Sequence, residues 1–427
     1  MTRIYLSSLG CRLNQSEIDS LARRLASQGH DVVGSPAEAD ICILNTCAVT
    51  QEAERKSRQT VRRFHRENPK SRVVLTGCYT TLSPEDTASL PGVVQVVSNS
   101  DKEDLGETLD LTTQPALNKV WKVPGGRTRA FVKIQDGCDN RCTYCVTTIA
   151  RGAARSRPPT EILTEIQNLE SAGYREVVLT GVHVGNYGRE RQPDQPAVTL
   201  PDLVQAILSE TGIQRLRLSS LEPWDLELDF FELWRNSRLC RQLHLPLQSG
   251  SATVLRRMGR HTTPAAFQRL ATAALAAIPD LALTTDIIVG FPGESEDEFA
   301  ASMDYVRGLD FARLHVFAFS PRPGTVAAGM ADQIPRPLIQ ERSRQMRELA
   351  SRKQETFLRS FLGRTMEVLW ESPVGDDPAN QLWRGLTGNY ISVTAASHRS
   401  LQNTITPTLL TDLRPGGMRG RPVHDSR

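Results

Sequence analysis

Three cysteines lie within eight residues: Cys138, Cys142 and Cys145, spaced Cys-x3-Cys-x2-Cys, just after the apolar run Ala130 to Ile134. A loop that short gathers three thiolates at one small centre. Three thiolates hold three irons of a [4Fe–4S] cube and leave the fourth iron open to an outside ligand. Zinc is the competing chemistry, but a closed structural zinc site wants four protein ligands, and no nearby cysteine or histidine supplies the fourth. The spacing also matches neither zinc ribbons nor zinc fingers.

Three further cysteines carry a positional signal. Arg3 to Gly10, Ile41 to Thr46 and Arg72 to Gly77 read as strands, and each runs into a cysteine: Cys11, Cys47 and Cys78. Helical periodicity separates them, from Asn14 to Gln28 and from about Gln51 to Glu67, and Val93 to Val97 could close the sheet. Alternating strands and helices imply a parallel, doubly wound sheet, whose strand C-termini share one ligand-binding edge. Cysteines far apart in sequence then meet at that edge as a second three-thiolate site. Cys42, inside its strand, and Cys240 read as structural.

The elements that must position the first loop follow in order. Residues from about Asp101 to Pro124 read as a linker. Six strand-like runs come next: Arg129–Ile134, Glu176–Thr180, Arg215–Ser219, Gln242–Leu247, Leu281–Val289 and Ala312–Phe319. Helical stretches accompany them at Thr160–Ala172, Leu200–Glu210, Leu226–Asn236, Pro264–Ala277, Ser295–Gly308 and Pro337–Phe361. Six strand–helix units suggest an incomplete (β/α) barrel with its chemistry at the strand C-terminal mouth. Beyond Gly363 the pattern changes to period two, which reads as a small antiparallel β-domain. Arg414 to Arg427, rich in Gly, Pro and Arg, is expected to lack order. The expected fold class is therefore α/β, with domains at 1–115, 124–360 and 361–415 and a tail at 416–427.

With Tyr144 before its last cysteine, the first loop resembles the signature of the radical S-adenosylmethionine enzymes. Gly10-Cys11-Arg12-Leu13-Asn14-Gln15-Ser16-Glu17, Asn45-Thr46-Cys47-Ala48-Val49-Thr50 and Thr76-Gly77-Cys78-Tyr79 resemble the N-terminal domain of one branch of them, the methylthiotransferases. Leu179-Thr180-Gly181-Val182-His183-Val184-Gly185 is most similar to those acting on N6-threonylcarbamoyladenosine in tRNA. The resemblance implies two [4Fe–4S] clusters, an auxiliary one on Cys11, Cys47 and Cys78 and a radical-generating one on Cys138, Cys142 and Cys145, with S-adenosylmethionine as cosubstrate. It also implies a methylthio group placed on adenine C2 beside the anticodon. Candidate cofactor contacts are Tyr144 against adenine, Gly181 at the methionyl end, Gln248 and Ser249 on ribose or carboxylate, and Gly290 for close backbone approach. The chain has Gly181-Val182-His183 where many radical enzymes carry Gly-Glu-Glu, and His183 reads as a satisfied loop or core histidine.

Gly385-Leu386-Thr387-Gly388-Asn389-Tyr390-Ile391 resembles the small RNA-binding barrel, TRAM, that ends methylthiotransferases. Trp383 and Tyr390 are its base-stacking candidates, the alternative being core aromatics. Two helices add basic residues: Arg55, Lys56, Arg58, Arg62, Arg63 and Arg66 in one; Arg342, Arg344, Arg347, Arg352, Lys353 and Arg359 in the other.

Composition sets the bounds. The chain's 427 residues allow two or three domains. A net charge of +3 names no partner, no apolar run approaches the ~20 residues of a membrane span, and the start lacks a leader pattern. Eight cysteines then point to metal or catalysis in a reducing cytoplasm. The expected partners are tRNA and a flavodoxin- or ferredoxin-type electron donor, for a monomer. Two other readings remain: a methylthiotransferase of another branch (isopentenyladenosine in tRNA, or a ribosomal-protein aspartate), and an iron–sulfur RNA-binding protein without catalysis.

Overall fold

The computed structural model describes residues 1–109, 111, 128–190, 198–375 and 381–423. Its first unit is a five-stranded parallel sheet: β1 (Arg3–Ser8), β2 (Asp31–Val32), β3 (Ile41–Thr46), β4 (Arg72–Gly77) and β5 (Val93–Val96), in the spatial order β2-β1-β3-β4-β5. Helices α1 (Arg12–Ser27), α2 (Gln51–Glu67), α3 (Cys78–Leu82) and α4 (Pro84–Ala88) link the strands. β3 is buried at every position, as a central strand covered on both faces must be. The strand order reverses between β1 and β3, so a switch-point crevice opens beside the C-terminal ends of those two strands.

The segment read as a linker begins as part of this unit. Lys102–Asp104 forms a 3₁₀ turn, α5 spans Leu105–Thr108, and Leu105, Leu109 and Leu111 are buried in the core with Ile4, Ile43 and Val74. Residues 110 and 112–127, the remainder of that stretch, lie outside the described residues.

The central unit is a barrel left open on one side. β6 (Arg129–Lys133) leads to a short hairpin of β7 (Gln135–Asp136) and β8 (Arg155–Ser156), with α6 (Thr147–Arg151) between them. The other barrel strands are β9 (Glu176–Thr180), β10 (Arg215–Leu218), β11 (Gln242–His244), β12 (Ala282–Val289) and β13 (Arg313–Ala318). Parallel pairing runs β6-β9-β10 and β11-β12-β13, and bridges at Leu216–Leu239 and Ser220–His244 join the two halves. Helices α7 (Pro159–Ser171), α8 (Leu200–Glu210), α9 (Ala252–Arg257), α10 (Pro264–Ala277), α11 (Glu296–Gly308) and α12 (Arg336–Arg359) supply the rest. Leu228–Arg235, expected as a helix, is a 3₁₀ helix packed through Phe230, Phe231 and Trp234. The open edge at β6 is covered by the N-terminal unit: Ser16 Oγ on α1 donates to the Phe131 carbonyl at 2.9 Å.

The third unit is a closed five-stranded barrel of β14 (Thr365–Val374), β15 (Leu382–Thr387), β16 (Ser392–Ala396), β17 (Ile405–Arg414) and β18 (Gly417–Pro422). The expected disordered tail is contradicted here, because β18 pairs with both β16 and β17 and closes the barrel. Residues 424–427 lie outside the described residues. This small barrel seats on the strand N-terminal end of the central one. Arg215 donates to the Leu386 and Glu367 carbonyls, Arg217 to the Gly388 carbonyl, and Asn389 to the Asp280 carbonyl.

Candidate active site

The three-cysteine loop sits at the C-terminal mouth of the central barrel, where expected. Gln135, fully buried, holds it from below. Its amide nitrogen donates to the Asp136 and Gly137 carbonyls at 2.8 Å, while its amide oxygen accepts from the Val182 and His183 nitrogens at 3.1 and 2.8 Å. Gly181 follows β9 so closely against this residue that a Cβ would lie 2.8 Å from the Gln135 carbonyl oxygen. At the loop's other end the Thr143 nitrogen and hydroxyl bond the Met258 and Arg257 carbonyls, both at 2.9 Å. Tyr144 packs with Val254, Met258, Phe291 and Ala327, and burial raises its phenol well above the usual range.

Cys11, Cys47 and Cys78 share one edge, as the parallel topology requires. Cys47 and Cys78 directly follow β3 and β4; Cys11 lies three residues past β1, beyond Gly10. Gly10 has φ +93° and lies against Cys47, so that a Cβ there would come 2.5 Å from the Cys47 Sγ. Asn14, fully buried, ties two of these loops: its Nδ2 donates to the carbonyls of Leu9 (2.8 Å) and Thr46 (3.0 Å).

Arg151 joins the two cysteine sets. Its buried guanidinium donates to Asn14 Oδ1 at 2.6 Å, Glu17 Oε1 at 2.9 Å and Asp136 Oδ1 at 2.8 Å. Asn14 stands three residues after Cys11, and Asp136 two before Cys138, so one side chain fixes the spacing between the loops. Lys102, also buried, adds an ion pair to Glu17 at 2.7 Å. Ala48, Cys78, Tyr79 and Ala150 form an apolar seam across the same junction, and Asn99 Nδ2 donates to the Ala150 carbonyl at 2.8 Å. The sequence offers little sign of this network, because its members are polar residues up to 137 positions apart.

His183 is a satisfied residue beside the site. Its Nε2 lies 2.5 Å from Asp225 Oδ2, and its Nδ1 lies 3.7 Å from Cys138 Sγ. Burial opposes its charge, yet Asp225 and Cys138 push it up to about 10. Gln248 follows β11 with φ +79°, buried, and its backbone bridges to Asp286 and Ile288 of β12. Two of the cofactor candidates turn elsewhere. The Ser249 hydroxyl bonds Ser302 on α11 at 2.9 Å, and Gly290 is pressed against Ile339 of α12 while its nitrogen donates to Glu294.

The donor chemistry fits iron–sulfur clusters. Each site presents three thiols, and burial pushes Cys47 and Cys142 up to about 11, a penalty that metal coordination reverses by deprotonating the thiol. Among the described residues, the group whose three ligand atoms fall within 4.8 Å of one another is His244, Asp286 and His315. A three-thiol set matches three corners of a cube and falls one ligand short of a closed structural zinc site.

The nucleic-acid candidates divide. Trp383 is buried among Val368, Val393 and Leu410 and belongs to the small barrel's core, so the base-stacking expectation is withdrawn for it. Tyr390 is half-buried in a cage of guanidinium groups, 4.4 Å from Arg217, 5.3 Å from Arg12 and 5.6 Å from Arg129, which removes it from a free binding face. Arg342 is also no surface cation; it is buried against Glu294 at 2.8 Å. On α2, Arg55, Lys56, Arg62, Arg63 and Arg66 are exposed.

A barrel open on one side, with three cysteines at the mouth of its first strand, defines a radical S-adenosylmethionine enzyme. Residues 132–306 match the Radical SAM superfamily, and residues 3–99 match a family described only as uncharacterized protein family UPF0004. The threonylcarbamoyladenosine tRNA methylthiotransferase MtaB of Bacillus subtilis is 35% identical over 92% of this chain and 90% of its own. That of Thermotoga maritima is also 35% identical, over 87% of each chain. A tRNA-2-methylthio-N(6)-dimethylallyladenosine synthase of Chloroflexus aurantiacus is 33% identical over 99% of this chain and 92% of its own. Among solved structures, the radical S-adenosylmethionine methyltransferase TsrM of Kitasatospora setae shares the fold, with a TM-score of 0.55 at 15% identity over 74% of this chain and 73% of that one. The chain belongs to the methylthiotransferase family of radical S-adenosylmethionine enzymes.

Proposed function

We propose that the protein places a methylthio group on C2 of N6-threonylcarbamoyladenosine in tRNA. The observation that carries the reading is the pair of three-cysteine sites whose loops are tied together by Arg151 and the Ala48–Ala150 seam. The printed names of the relatives support the substrate. Adenine C2–H is unreactive toward any side-chain base, so the chemistry must come from a bound cofactor. When bound, two [4Fe–4S] clusters and S-adenosylmethionine supply the radical and the sulfur transfer.

The chain's own residues hold and shield these groups. Cys138, Cys142 and Cys145 hold one cluster; Cys11, Cys47 and Cys78 hold the other. Tyr144 and Gly181 border the cosubstrate, with the Gln248 turn beside them; the packing of Ser249 and Gly290 makes them supports of that wall. Gln135 and Arg151 orient the loops, and the apolar pack around Tyr144 excludes water. A flavodoxin- or ferredoxin-type protein would deliver electrons to a monomeric enzyme working in the cytoplasm. Among the described residues, no helix is long and apolar enough to cross a membrane.

Alanine variants separate the two sites. Wild-type protein reconstituted without oxygen should bind about eight irons, and the Cys138→Ala/Cys142→Ala/Cys145→Ala variant about four. Any single change in that trio should abolish 5′-deoxyadenosine formation. Cys11→Ala, Cys47→Ala and Cys78→Ala should still form it under strong reductant yet yield no methylthio-nucleoside. Methylthiolation surviving in Cys47→Ala would remove the N-terminal site from the mechanism.

A further inference from the structure

Where the central barrel meets the first and third units lies a cavity of about 540 Å³, and Cys11 and Gly181 are among the residues that border it. One part of its mixed wall is polar. Ser219, Gln242, His244, Asp286 and His315 all line it. His244 and His315 bond the same Asp286 oxygen, at 3.2 and 3.1 Å, and His244 Nδ1 bonds Thr284 at 2.9 Å. Burial would raise the Asp286 carboxyl, but those two imidazoles hold it well below the usual carboxylate range.

Two wall groups have no such partner. Among the described residues, Ser219 Oγ and Gln242 Oε1 find no hydrogen-bond partner, though their residues are only 6% and 4% exposed. Buried polar atoms in folded proteins are almost always satisfied, so two orphans on one cavity wall mark the place of a polar guest. The rim identifies what enters. A space edged by Cys11 of one cluster site, and by Gly181 against the other cysteine loop, is where the reacting base must come.

We infer that this cavity reads the N6 substituent of the substrate adenosine, and that Ser219, Gln242 and His315 select a carbamoyl-amino-acid group over an alkenyl one. This deepens the substrate assignment above and rests on it. A urea N–H donates to Gln242 Oε1, while a hydroxyl or carboxylate oxygen accepts from Ser219 Oγ–H and from His315 through the ring nitrogen not engaged with Asp286. Arg12, on the same rim, adds positive charge for a carboxylate. An alkenyl group offers no polar atom and leaves the orphans buried and dry. Sites built to hydrogen-bond a substrate reject analogues lacking those groups by up to about 10⁴–10⁵.

The test uses the reconstituted full-length enzyme and anticodon stem-loop RNAs identical except at N6: threonylcarbamoyl, isopentenyl or unsubstituted. kcat/KM for methylthiolation is read for each RNA, together with the RNA affinity of the iron-free protein. Wild type should favour the threonylcarbamoyl RNA by about 100-fold or more. Ser219→Ala and Gln242→Leu should each lower kcat/KM on that RNA about tenfold and narrow its advantage over the other two. If Gln242→Leu fails to fold, Ser219→Ala, which removes one oxygen, decides alone. Wild type preferring another RNA, or none, would sink the substrate assignment itself. Wild-type preference intact, but equally intact in the variants, would sink this site and leave the substrate standing. A preference that appears only with added zinc and vanishes in His315→Phe would make the His244, Asp286 and His315 trio a cation site instead.

Discussion

Arg151 sets the terms at the scale of single residues. It is a buried cation between two carboxylates, and its hydrogen bonds span the junction on which both cysteine sites depend. Removing one partner of such a cluster leaves uncompensated charge, at a cost of about 3–5 kcal/mol. Arg151→Met should therefore lower unfolding stability by that amount in denaturant titrations, and Arg151→Lys should recover only part, since a compact ammonium lacks the planar fork whose two nitrogens reach Asn14, Glu17 and Asp136 together. A change below about 1 kcal/mol would show that the seam around Ala150 suffices to hold the junction. The six cysteines themselves were legible because spacing in one loop, and position after strands in the other three, are properties of a linear chain. Arg151, Asn14 and Gln135 were not, for their meaning lies in partners brought together by folding. Ser249 and Gly290 show a subtler limit. Their place near strand ends was readable, but not that α11 and α12 would claim the hydroxyl and the open Cα face.

Elements were readable wherever apolar periodicity was strong. The β12 run and the alternation of β3, α2 and β4 have the expected bounds within a residue or so. β18 was missed because Gly417-Met418-Arg419-Gly420-Arg421-Pro422 carries a single large apolar residue; its pairing comes from β16 and β17. Capping is a local device, and α11 shows what it is worth. Ser295 and Glu298 form a reciprocal capping box, and Glu298 also bonds Arg257 at 2.6 Å. Chiefly through Arg257, its carboxyl is held at about 2 rather than the ordinary 4.5. A depressed folded-state pKa contributes stability that is present above 4.5 and fades as pH falls toward 2. Glu298→Gln should thus be less stable than wild type by about 1–3 kcal/mol at pH 7, after solvent screening. Melting curves of the two proteins should converge as pH falls below about 4. A gap that is constant with pH would assign the effect to packing.

For the whole molecule, the decisive contact is the small barrel seated beneath the large one. Sequence reasoning treats the C-terminal unit as a separable RNA-binding module. The structure gives it a second duty, since Arg217 and Glu176, both fully buried and 2.7 Å apart, lie under its β15–β16 turn. Truncation after Gly363 should therefore do more than weaken RNA affinity. It should lower the melting temperature of the remaining chain and its soluble yield, and a truncated protein as stable as the full chain would overturn that expectation. Binding of tRNA to the intact protein should fall as salt rises, because phosphate contacts release counterions. Charge reversal at the exposed Arg62 and Arg66 of α2 should weaken binding and flatten the slope, whereas salt-independent binding would remove α2 from the interface. The Tyr390 cage carries one more consequence. Its ring and hydroxyl belong to the last unit, Arg12 to the first and Arg129 and Arg217 to the middle one, with Arg12 and Arg129 donating to the hydroxyl at 3.1 and 3.0 Å. A chimera that grafts a foreign C-terminal barrel onto this chain therefore inherits a mismatched keystone unless that tyrosine travels with it.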